Sequence, residues 1–385
     1  MRVAVLGTGL IGSTVVRELT SSRFITEVVA VDGQQESLDR ALSSIGSPGV
    51  KGRLVDLGRP EAVKSFLQDF DVAVAALPHS LSFMVNEAAV AAGCHLVDLV
   101  GSQYPEKLAA LDAAARANDV LLVTGCGVAP GIVNVLAARG IELLDTADEA
   151  TMYCGGLPRH PLPPLWYQVV FRLESVMGLY TRPALAAENG ELVRLPPMTG
   201  LEDCSFPEPV GACEAATSDA HSTAYTLRHR VGRLVEKTVR HRGHFAKMGV
   251  LAELGFLSEE PVSVADQAVV PRQLAMALLE PQMKGGSQED VTVLRVVVTG
   301  QKDGRPQRHE WTMVDLYDEA RGYTSMAKTT AFPAVAVTSL LAQGQMPERG
   351  FMTPEELLVG ARFEPFMSEL KENGVNIGYE SPVTA

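Results

Sequence analysis

Apolar runs and segments of helical period alternate along the first 125 residues of the chain. The apolar runs lie at 2–6, 27–31, 52–55, 71–76, 95–98 and 120–123, and helical segments separate them at 10–20, 35–45, 60–69, 82–92 and 105–117. This alternation predicts parallel strands joined by crossover helices. The runs at 3–6 and 72–76 are apolar without interruption, which is typical of strands covered on both faces. We therefore predict an α/β fold with a Rossmann-type, doubly wound parallel sheet.

The pattern changes after residue 125, where Gly and Pro cluster at 125–131 and 155–164. Residues 209–222 are rich in turn formers, 222–236 indicate a strand and a helix, and 291–298 with 309–315 indicate a hairpin around the polar turn 302–305. Helical patterns return at 323–344 and at 353–372, where Pro354 follows Thr353. We predict a second, mixed α+β domain at 126–322 for substrate binding and oligomerisation. The helices of about 323–385 should complete the first domain.

Length and charge narrow the class of protein. A chain of 385 residues exceeds the size at which one hydrophobic core usually stops growing, so two domains are expected. The net charge of −13 disfavours nucleic acid as a partner, because binding to phosphates depends on Lys and Arg.

The cysteines and the apolar runs bear on the compartment. The five cysteines form no C-x-x-C pair, and we interpret them as free thiols in a reducing compartment. The N-terminal residues do not resemble a secretion signal, and no apolar run approaches the roughly 20 residues that a bilayer requires. We expect a cytoplasmic protein without a membrane partner.

A glycine motif carries the strongest chemical signal. Gly7-Thr8-Gly9-Leu10-Ile11-Gly12 matches G-x-G-x-x-G, follows a predicted strand and opens a predicted helix. The first glycine permits a tight turn, the second lets a pyrophosphate approach the backbone, and the third allows close packing of helix on strand. The motif predicts a dinucleotide at the helix N-terminus. The alternative is a glycine turn in an α/β protein that binds no nucleotide.

The end of the second strand favours NAD over NADP. Asp32 lies 20 positions after Gly12, where an acidic residue hydrogen-bonds the ribose hydroxyls of NAD. Its carboxylate would repel a 2′-phosphate, and positions 33–36 hold no Arg or Lys. Five further residues at strand ends are candidate cofactor contacts or ordinary loop residues: Asp56, Leu57, Ala76, Leu77 and Pro78.

Several stretches of the chain resemble one known family. They are Gly125-Cys126-Gly127-Val128-Ala129-Pro130-Gly131-Ile132-Val133-Asn134, Gly155-Gly156-Leu157-Pro158, Pro163-Pro164-Leu165, Glu174-Ser175-Val176, Tyr180-Thr181-Arg182-Pro183 and Thr238-Val239-Arg240-His241-Arg242-Gly243-His244. Together they are similar to the lysine 6-dehydrogenase branch of the saccharopine-dehydrogenase-like group. Many relatives carry Asp where this chain has Ala129, which removes one candidate acid.

The resemblance implies a reaction. The side-chain amine carbon of L-lysine would be oxidised, NAD would accept the hydride, and hydrolysis would give ammonia and an aldehyde that cyclises. The lysine ammonium has a pKa near 10.4 and only the neutral amine releases hydride readily, so a base or a desolvated pocket is required. The same resemblance implies a homo-oligomer.

Candidate site residues for the amine follow from this reaction. Asp98, at the end of the fifth predicted strand, is a candidate to hold the ammonium or act as base, with a strand-end cap as the alternative. Glu174 is a candidate to receive the amine or an exposed residue at a helix start. His244 is a candidate proton carrier, and a loop histidine at a subunit contact is the alternative.

The substrate carboxylate calls for a cation. Arg182 and Arg240 are candidates because a guanidinium binds a carboxylate with two hydrogen bonds, although either is equally consistent with a surface ion pair. Tyr180 and His241 are further candidate substrate contacts. The histidine and cysteine spacing suggests no metal site.

Two other classes of function remain open. One is another activity of the same group, such as saccharopine or carboxynorspermidine chemistry, whose substrates carry extra carboxylates and need more cationic contacts. The other is a non-catalytic NAD-binding redox sensor.

Overall fold

The computed structural model describes residues 1–47, 49–101, 105–168, 173–284 and 286–380. The strands are β1 (Arg2–Leu6), β2 (Glu27–Asp32), β3 (Lys51–Leu54), β4 (Val72–Ala75), β5 (His95–Asp98), β6 (Leu121–Thr124), β7 (Thr146–Pro158), β8 (Ala184–Glu188), β9 (Glu191–Leu195), β10 (Glu202–Phe206), β11 (Gly211–Ser218), β12 (Val231–His241), β13 (Val262–Val264), β14 (Gln267–Val269), β15 (Asp290–Lys302), β16 (Arg305–Leu316), β17 (Gly350–Met352) and β18 (Gly378–Glu380).

The helices are α1 (Leu10–Leu19), α2 (Gln35–Ile45), α3 (Pro60–Leu67), α4 (His79–Ala92), α5 (Pro105–Ala117), α6 (Ile132–Glu142), α7 (Leu173–Thr181), α8 (Thr223–Thr226), α9 (His244–Glu253), α10 (Pro271–Lys284), α11 (Ser325–Ala342), α12 (Pro354–Leu357) and α13 (Phe363–Glu372), with a short 3-10 helix at Gly360–Arg362.

One compact unit comprises Met1–Arg139 and Ala327–Val375. Its seven-stranded sheet has the order β17-β6-β5-β4-β1-β2-β3, and every neighbouring pair is parallel. Every residue of β4 is buried, as is every residue of β1 after Arg2, because helices cover both faces of the sheet. The predicted Rossmann-type sheet is confirmed. The edge strand β17 was not predicted, because it is only three residues long.

The second unit comprises Gly140–Met326 and Asn376–Ala385. Its large sheet has the order β10-β11-β12-β7-β15-β16-β18, and β8 adds to β12 while β9 adds to β8. The β12–β7 pair is parallel and the others are antiparallel, so the sheet is mixed, as predicted. The predicted hairpin is β15–β16, whose pairing reaches Lys302 and Arg305.

Some predicted boundaries differ from the structure. The first unit extends past residue 125 to Arg139, because most of α6 packs with it. The end of the chain groups with the second unit, since β18 pairs with β16. The segment 209–222, predicted as turns, contains the strand β11, so that prediction was wrong.

The buried centre of the first sheet generates a prediction for stability. Leu122→Ala in β6, whose side chain is fully buried, should lower the free energy of unfolding by about 2 to 5 kcal/mol through lost apolar burial and a residual cavity. Leu54→Ala in β3 is the matched control, since Leu54 is 55% exposed and its truncation should change stability by about 0.5 kcal/mol or less. Urea titration measures both, and equal effects would contradict this placement of the core.

Candidate active site

The glycine motif forms the turn between β1 and α1. Gly7 has φ of +91°, and a side chain there would meet the carbonyl oxygen of Ala76 at 2.5 Å. A Cβ on Gly12 would lie 1.9 Å from the carbonyl oxygen of Gly7, so helix and strand approach too closely for any side chain. Gly9 precedes the helix, and a Cβ there would meet nothing within 4 Å. The three glycines thus have the separate roles that a dinucleotide turn requires.

Asp32 lies beside this turn. One carboxylate oxygen accepts hydrogen bonds from the backbone N–H and the hydroxyl of Thr8, each at 2.8 Å. The other accepts the backbone N–H of Gln34 at 2.9 Å. Because each carboxylate oxygen has two acceptor positions, Asp32 retains capacity for a ribose hydroxyl while its orientation is fixed.

The remaining candidate cofactor residues lie at the same carboxyl edge. Leu10 is 55% exposed at the start of α1, and Ile11 follows it half-buried. The carboxylate of Asp56 accepts the backbone N–H of Gly58 at 3.0 Å, and Leu57 is buried. Residues 76–78 follow β4 and are half-buried, and Pro78 precedes the first residue of α4. The edge thus brings the predicted cofactor residues of the first unit together.

Asp98 is the last residue of β5, at the strand end where the sequence predicts it. It is fully buried, and its carboxylate accepts hydrogen bonds from the Ser82 hydroxyl, the backbone N–H of Val100 at 2.9 Å and the Asn86 amide at 3.1 Å. Burial raises its pKa to about 6. These donors join the end of β5 to α4, so the structure favours the strand-end role over contact with substrate.

The glycine- and proline-rich junction is a tight loop after β6. Gly131 has φ of +137°, and a Cβ there would lie 1.8 Å from the carbonyl oxygen of Gly127. The backbone N–H of Gly131 donates to the side chain of Asn134, and Asn134 donates to Glu355 at 3.4 Å. The sequence signal therefore marks a loop whose backbone fits only glycine at this position.

In the second unit, Arg240 lies on β12 among aromatic side chains. It is 4% exposed, and its guanidinium carbon lies 4.5 Å from the centre of the Tyr167 ring. Tyr180, at the end of α7, lies close to it, and one guanidinium N–H donates to the carbonyl oxygen of Val239 at 2.8 Å. Burial alone lowers the pKa of Arg240, but the neighbouring Tyr167, Tyr180 and Cys154 raise it, and the net shift is upward. A cation is thus held in a buried site by dipoles and ring faces.

His244 begins α9 and completes this cluster. Its Nδ1 lies 2.8 Å from the carbonyl oxygen of Leu165 and its Nε2 lies 2.7 Å from the Tyr180 hydroxyl. A carbonyl only accepts, so Nδ1 carries the proton and the tyrosine donates to Nε2. Burial, reinforced by Arg240, lowers the pKa of His244 to about 3. Neutral and fully buried, His244 fits a residue that positions Tyr180 better than the proton carrier that we predicted.

Glu214 is a residue of this cluster that the sequence analysis missed. It lies on β11 opposite Arg240, but its carboxylate accepts the backbone N–H groups of Gly243 at 2.9 Å and Phe245 at 2.7 Å. It therefore stabilises the N-terminus of α9, where a negative charge is favoured. Tyr167 was also missed, because an isolated aromatic residue in a loop gives no signal of the cation beneath it.

Two predicted substrate residues lie outside the cluster, and the side chain of a third is not among those that the structure describes. His241 follows Arg240 on the strand, so its side chain lies on the opposite face, where Nε2 donates to the carbonyl oxygen of Pro158 at 3.0 Å. His241 stays a candidate substrate contact, on the other face of the sheet from Arg240. Arg182 is exposed just after α7. Glu174 is in α7, and its side chain lies outside the described residues.

Two kinds of feature are absent from the described ranges. No three His, Cys, Asp or Glu side chains are grouped there as metal ligands would be. No helix in the described part of the chain is long and apolar enough to cross a bilayer.

The fold and these two sites define an oxidoreductase with a Rossmann nucleotide-binding domain. Residues 3–123 match the family model described as the saccharopine dehydrogenase NADP binding domain, and residues 127–375 match the saccharopine dehydrogenase C-terminal domain. The chain belongs to the saccharopine dehydrogenase family of amino-acid dehydrogenases. These matches confirm the resemblance to the saccharopine-dehydrogenase-like group. They name no branch of that group, so the lysine 6-dehydrogenase branch stays a prediction.

Relatives cover the chain at low identity. The NADP-dependent, L-glutamate-forming saccharopine dehydrogenase of Schizosaccharomyces pombe is 22% identical over 98% of each chain. Mitochondrial alpha-aminoadipic semialdehyde synthase of Mus musculus is 21% identical over 99% of this chain and 48% of its own length. The structure of apo saccharopine dehydrogenase from Saccharomyces cerevisiae matches with a TM-score of 0.80 at 19% identity, covering 99% of this chain and 100% of the other. That likeness establishes the shared fold.

The buried, neutral His244 predicts a pH-dependent stability. In the unfolded chain its pKa is about 6.5 and in the folded protein about 3, so the unfolded state binds more protons in this window and stability is lost as the pH falls through it. Compared with His244→Gln, the wild type should lose about 2 to 3 kcal/mol more between pH 7 and 4.5. Urea unfolding of both proteins measures the difference.

The comparison of the two proteins provides its own control. Asp98 and Asp290, whose pKa values burial raises to about 6, act in the opposite direction but are common to both proteins. Parallel stability curves would contradict a neutral His244.

Proposed function

We propose that this chain is an NAD-dependent dehydrogenase that oxidises the side-chain amine of L-lysine to the semialdehyde, releasing ammonia. The environment of Arg240 indicates a substrate that carries a carboxylate. Arg240 is a buried cation that has no carboxylate within ion-pair distance among the described residues. A buried, unpaired charge is costly, so such a residue is expected to have an anionic partner. The α-carboxylate of an amino acid is that partner.

The number of buried cations favours a substrate with one carboxylate. Three Lys or Arg side chains are buried in the described part of the second unit: Lys237, Arg240 and Arg272. Lys237 pairs with Glu202 at 2.9 Å and Arg272 pairs with Glu259, which leaves Arg240. Saccharopine-type substrates carry further carboxylates and require further cations. One unpaired buried guanidinium therefore supports L-lysine over saccharopine.

Asp32 supports NAD as the cofactor. The saccharopine dehydrogenases of Schizosaccharomyces pombe and Saccharomyces cerevisiae are named as NADP-dependent, and a 2′-phosphate site calls for cationic side chains after the second strand. Here positions 33–36 are Gly, Gln, Gln and Glu, and the carboxylate of Asp32 is held at the end of β2 by Thr8 and Gln34. A fixed negative charge at this point favours two ribose hydroxyls over a phosphate.

In this proposal the chain supplies position and electrostatics. When bound, the nicotinamide supplies the hydride acceptor. Arg240 holds the substrate carboxylate, His244 accepts the Tyr180 hydroxyl proton and so fixes that ring beside the guanidinium, and the apolar surroundings exclude water. A base must take a proton from the substrate ammonium before hydride leaves the adjacent carbon.

The alternative is a saccharopine-type activity with NADP, which the names of the relatives favour. Homo-oligomerisation and a cytoplasmic location remain predictions that accompany either activity.

An absorbance assay at the NADH band tests the proposal. With NAD and L-lysine at alkaline pH, where more of the amine is neutral, NADH and ammonia should form in equal amounts. If saccharopine is oxidised and lysine is not, saccharopine replaces lysine as the proposed substrate. If no amine yields NADH although NAD binds, the redox sensor is favoured.

Asp32→Arg tests the cofactor. The variant should lose about tenfold or more in kcat/KM with NAD and gain with NADP, because a charged hydrogen bond to the ribose is removed and a cation is added. Asp69→Arg, an exposed residue after α3, is the control for the same change of charge. Unchanged kinetics with both cofactors in Asp32→Arg would remove this residue from the ribose site.

A further inference from the structure

A polar stripe crosses one face of the second sheet beyond Arg240. Glu236, Thr238 and Arg240 alternate along β12, so their side chains lie on the same face. Ser218 of β11 and Met152 of β7 are the cross-strand neighbours of Glu236, and Cys154 of β7 is the neighbour of Thr238. A stripe of this composition is unusual in the interior of a sheet, where apolar side chains are expected.

Buried polar atoms without partners mark both ends of the stripe. At one end, Glu236 is 4% exposed and its Oε2 has no hydrogen-bond partner among the described residues, and neither has the hydroxyl of its neighbour Ser218. At the other end, the Nε of Arg240 is likewise buried without a partner. Native proteins leave few such atoms unsatisfied, so two ends of one stripe in this state indicate a missing ligand.

The middle of the stripe is more open than its ends. Thr238 and Cys154 keep part of their surface accessible, whereas Glu236 and Arg240 are buried. Cys154 is the cross-strand neighbour of Thr238, which lies between Glu236 and Arg240 on β12. The accessible centre and the unsatisfied ends together have the form of an elongated binding site.

We infer that Glu236 receives the side-chain ammonium of the substrate whose α-carboxylate Arg240 holds. This inference rests on the proposed function and adds to it the residue that binds and deprotonates the amine. Four residues along a strand separate the two Cα atoms by about 13 Å. That distance accommodates an extended amino acid with a hydrogen bond at each end when both side chains stand perpendicular to the sheet.

One proton moves between the substrate ammonium and Glu236. The carboxylate of Glu236 takes a proton from the ammonium, so that an N–H bond breaks, an O–H bond forms, and the ion pair becomes a neutral acid beside a neutral amine. Burial raises the pKa of Glu236 well above its usual range, and the nearby Asp219 adds to the shift. A buried site favours the neutral pair, which is the form that releases hydride.

Titratable groups of the neighbouring strands lie near Glu236. Asp219 follows β11 and disfavours a second negative charge there, and Cys154 lies on β7. A substrate with a carboxylate in place of the ammonium would meet Glu236 and Asp219 without a cation. Glu236 therefore selects for an amine at this end of the site.

Glu236→Gln tests the inference with two ligands. L-Lysine kinetics and inhibition by L-norleucine, which lacks the side-chain amine, are measured in the wild type, in Glu236→Gln and in Glu149→Gln. Glu149 is an exposed carboxylate of β7 and serves as the matched control. In Glu236→Gln we expect KM for lysine to rise about ten- to hundredfold and kcat to fall, while the inhibition constant of norleucine is retained.

The results distinguish the role of Glu236 from the proposed oxidation of lysine. Retained norleucine inhibition shows that the variant is folded with an intact carboxylate site, so a loss confined to lysine supports Glu236 as the amine receptor. Unchanged KM and kcat for lysine in Glu236→Gln overturn that role and leave the proposed function standing. Absence of lysine oxidation by the wild type overturns the proposed function itself, and equal weakening of lysine and norleucine overturns the assignment of Glu236 to the amine.

Discussion

A buried guanidinium with no carboxylate partner among the described residues is the constraint around which the second unit is arranged. Arg240 is surrounded by Tyr167 and Tyr180, which offer a ring face and a hydroxyl but no full negative charge. His244 must stay neutral beside it, and Glu214 on the neighbouring strand is engaged by backbone N–H groups of α9. The side chains thus preserve an electropositive point inside a sheet, which an arrangement for stability alone would have neutralised.

In the first unit the main constraint is the close approach of the backbone to a ligand. Gly7 and Gly12 have no room for a side chain, and Asp32 is held by the same turn through Thr8. Turn, helix N-terminus and acidic residue are therefore one rigid assembly at the carboxyl edge of the sheet. The saccharopine dehydrogenase of Schizosaccharomyces pombe is NADP-dependent, whereas we propose that this chain uses NAD because of that carboxylate and because positions 33–36 hold no Arg or Lys.

The sequence predicted the parallel sheet and its glycine turn because both depend on local patterns. It missed β11, whose Gly, Ala, Cys and Ser residues lack the β-branched signature of a strand and are held there by pairing with β12. It named both Arg240 and His241 as candidate substrate contacts, although strand alternation places their side chains on opposite faces. Glu236 and Glu214 escaped notice because their roles follow from burial and from contacts between distant segments, which no local pattern encodes.

The central claim, that Arg240 receives the α-carboxylate of a lysine-like substrate, is tested most directly by comparing two ligands that differ in that group. The dissociation constants of L-lysine and of 1,5-diaminopentane, which has both amines and no carboxylate, are measured calorimetrically for the wild type and for Arg240→Met. We expect the wild type to bind lysine about a hundredfold more tightly than the diamine. In Arg240→Met the two dissociation constants should become equal. The same preference for lysine in both proteins would contradict this claim.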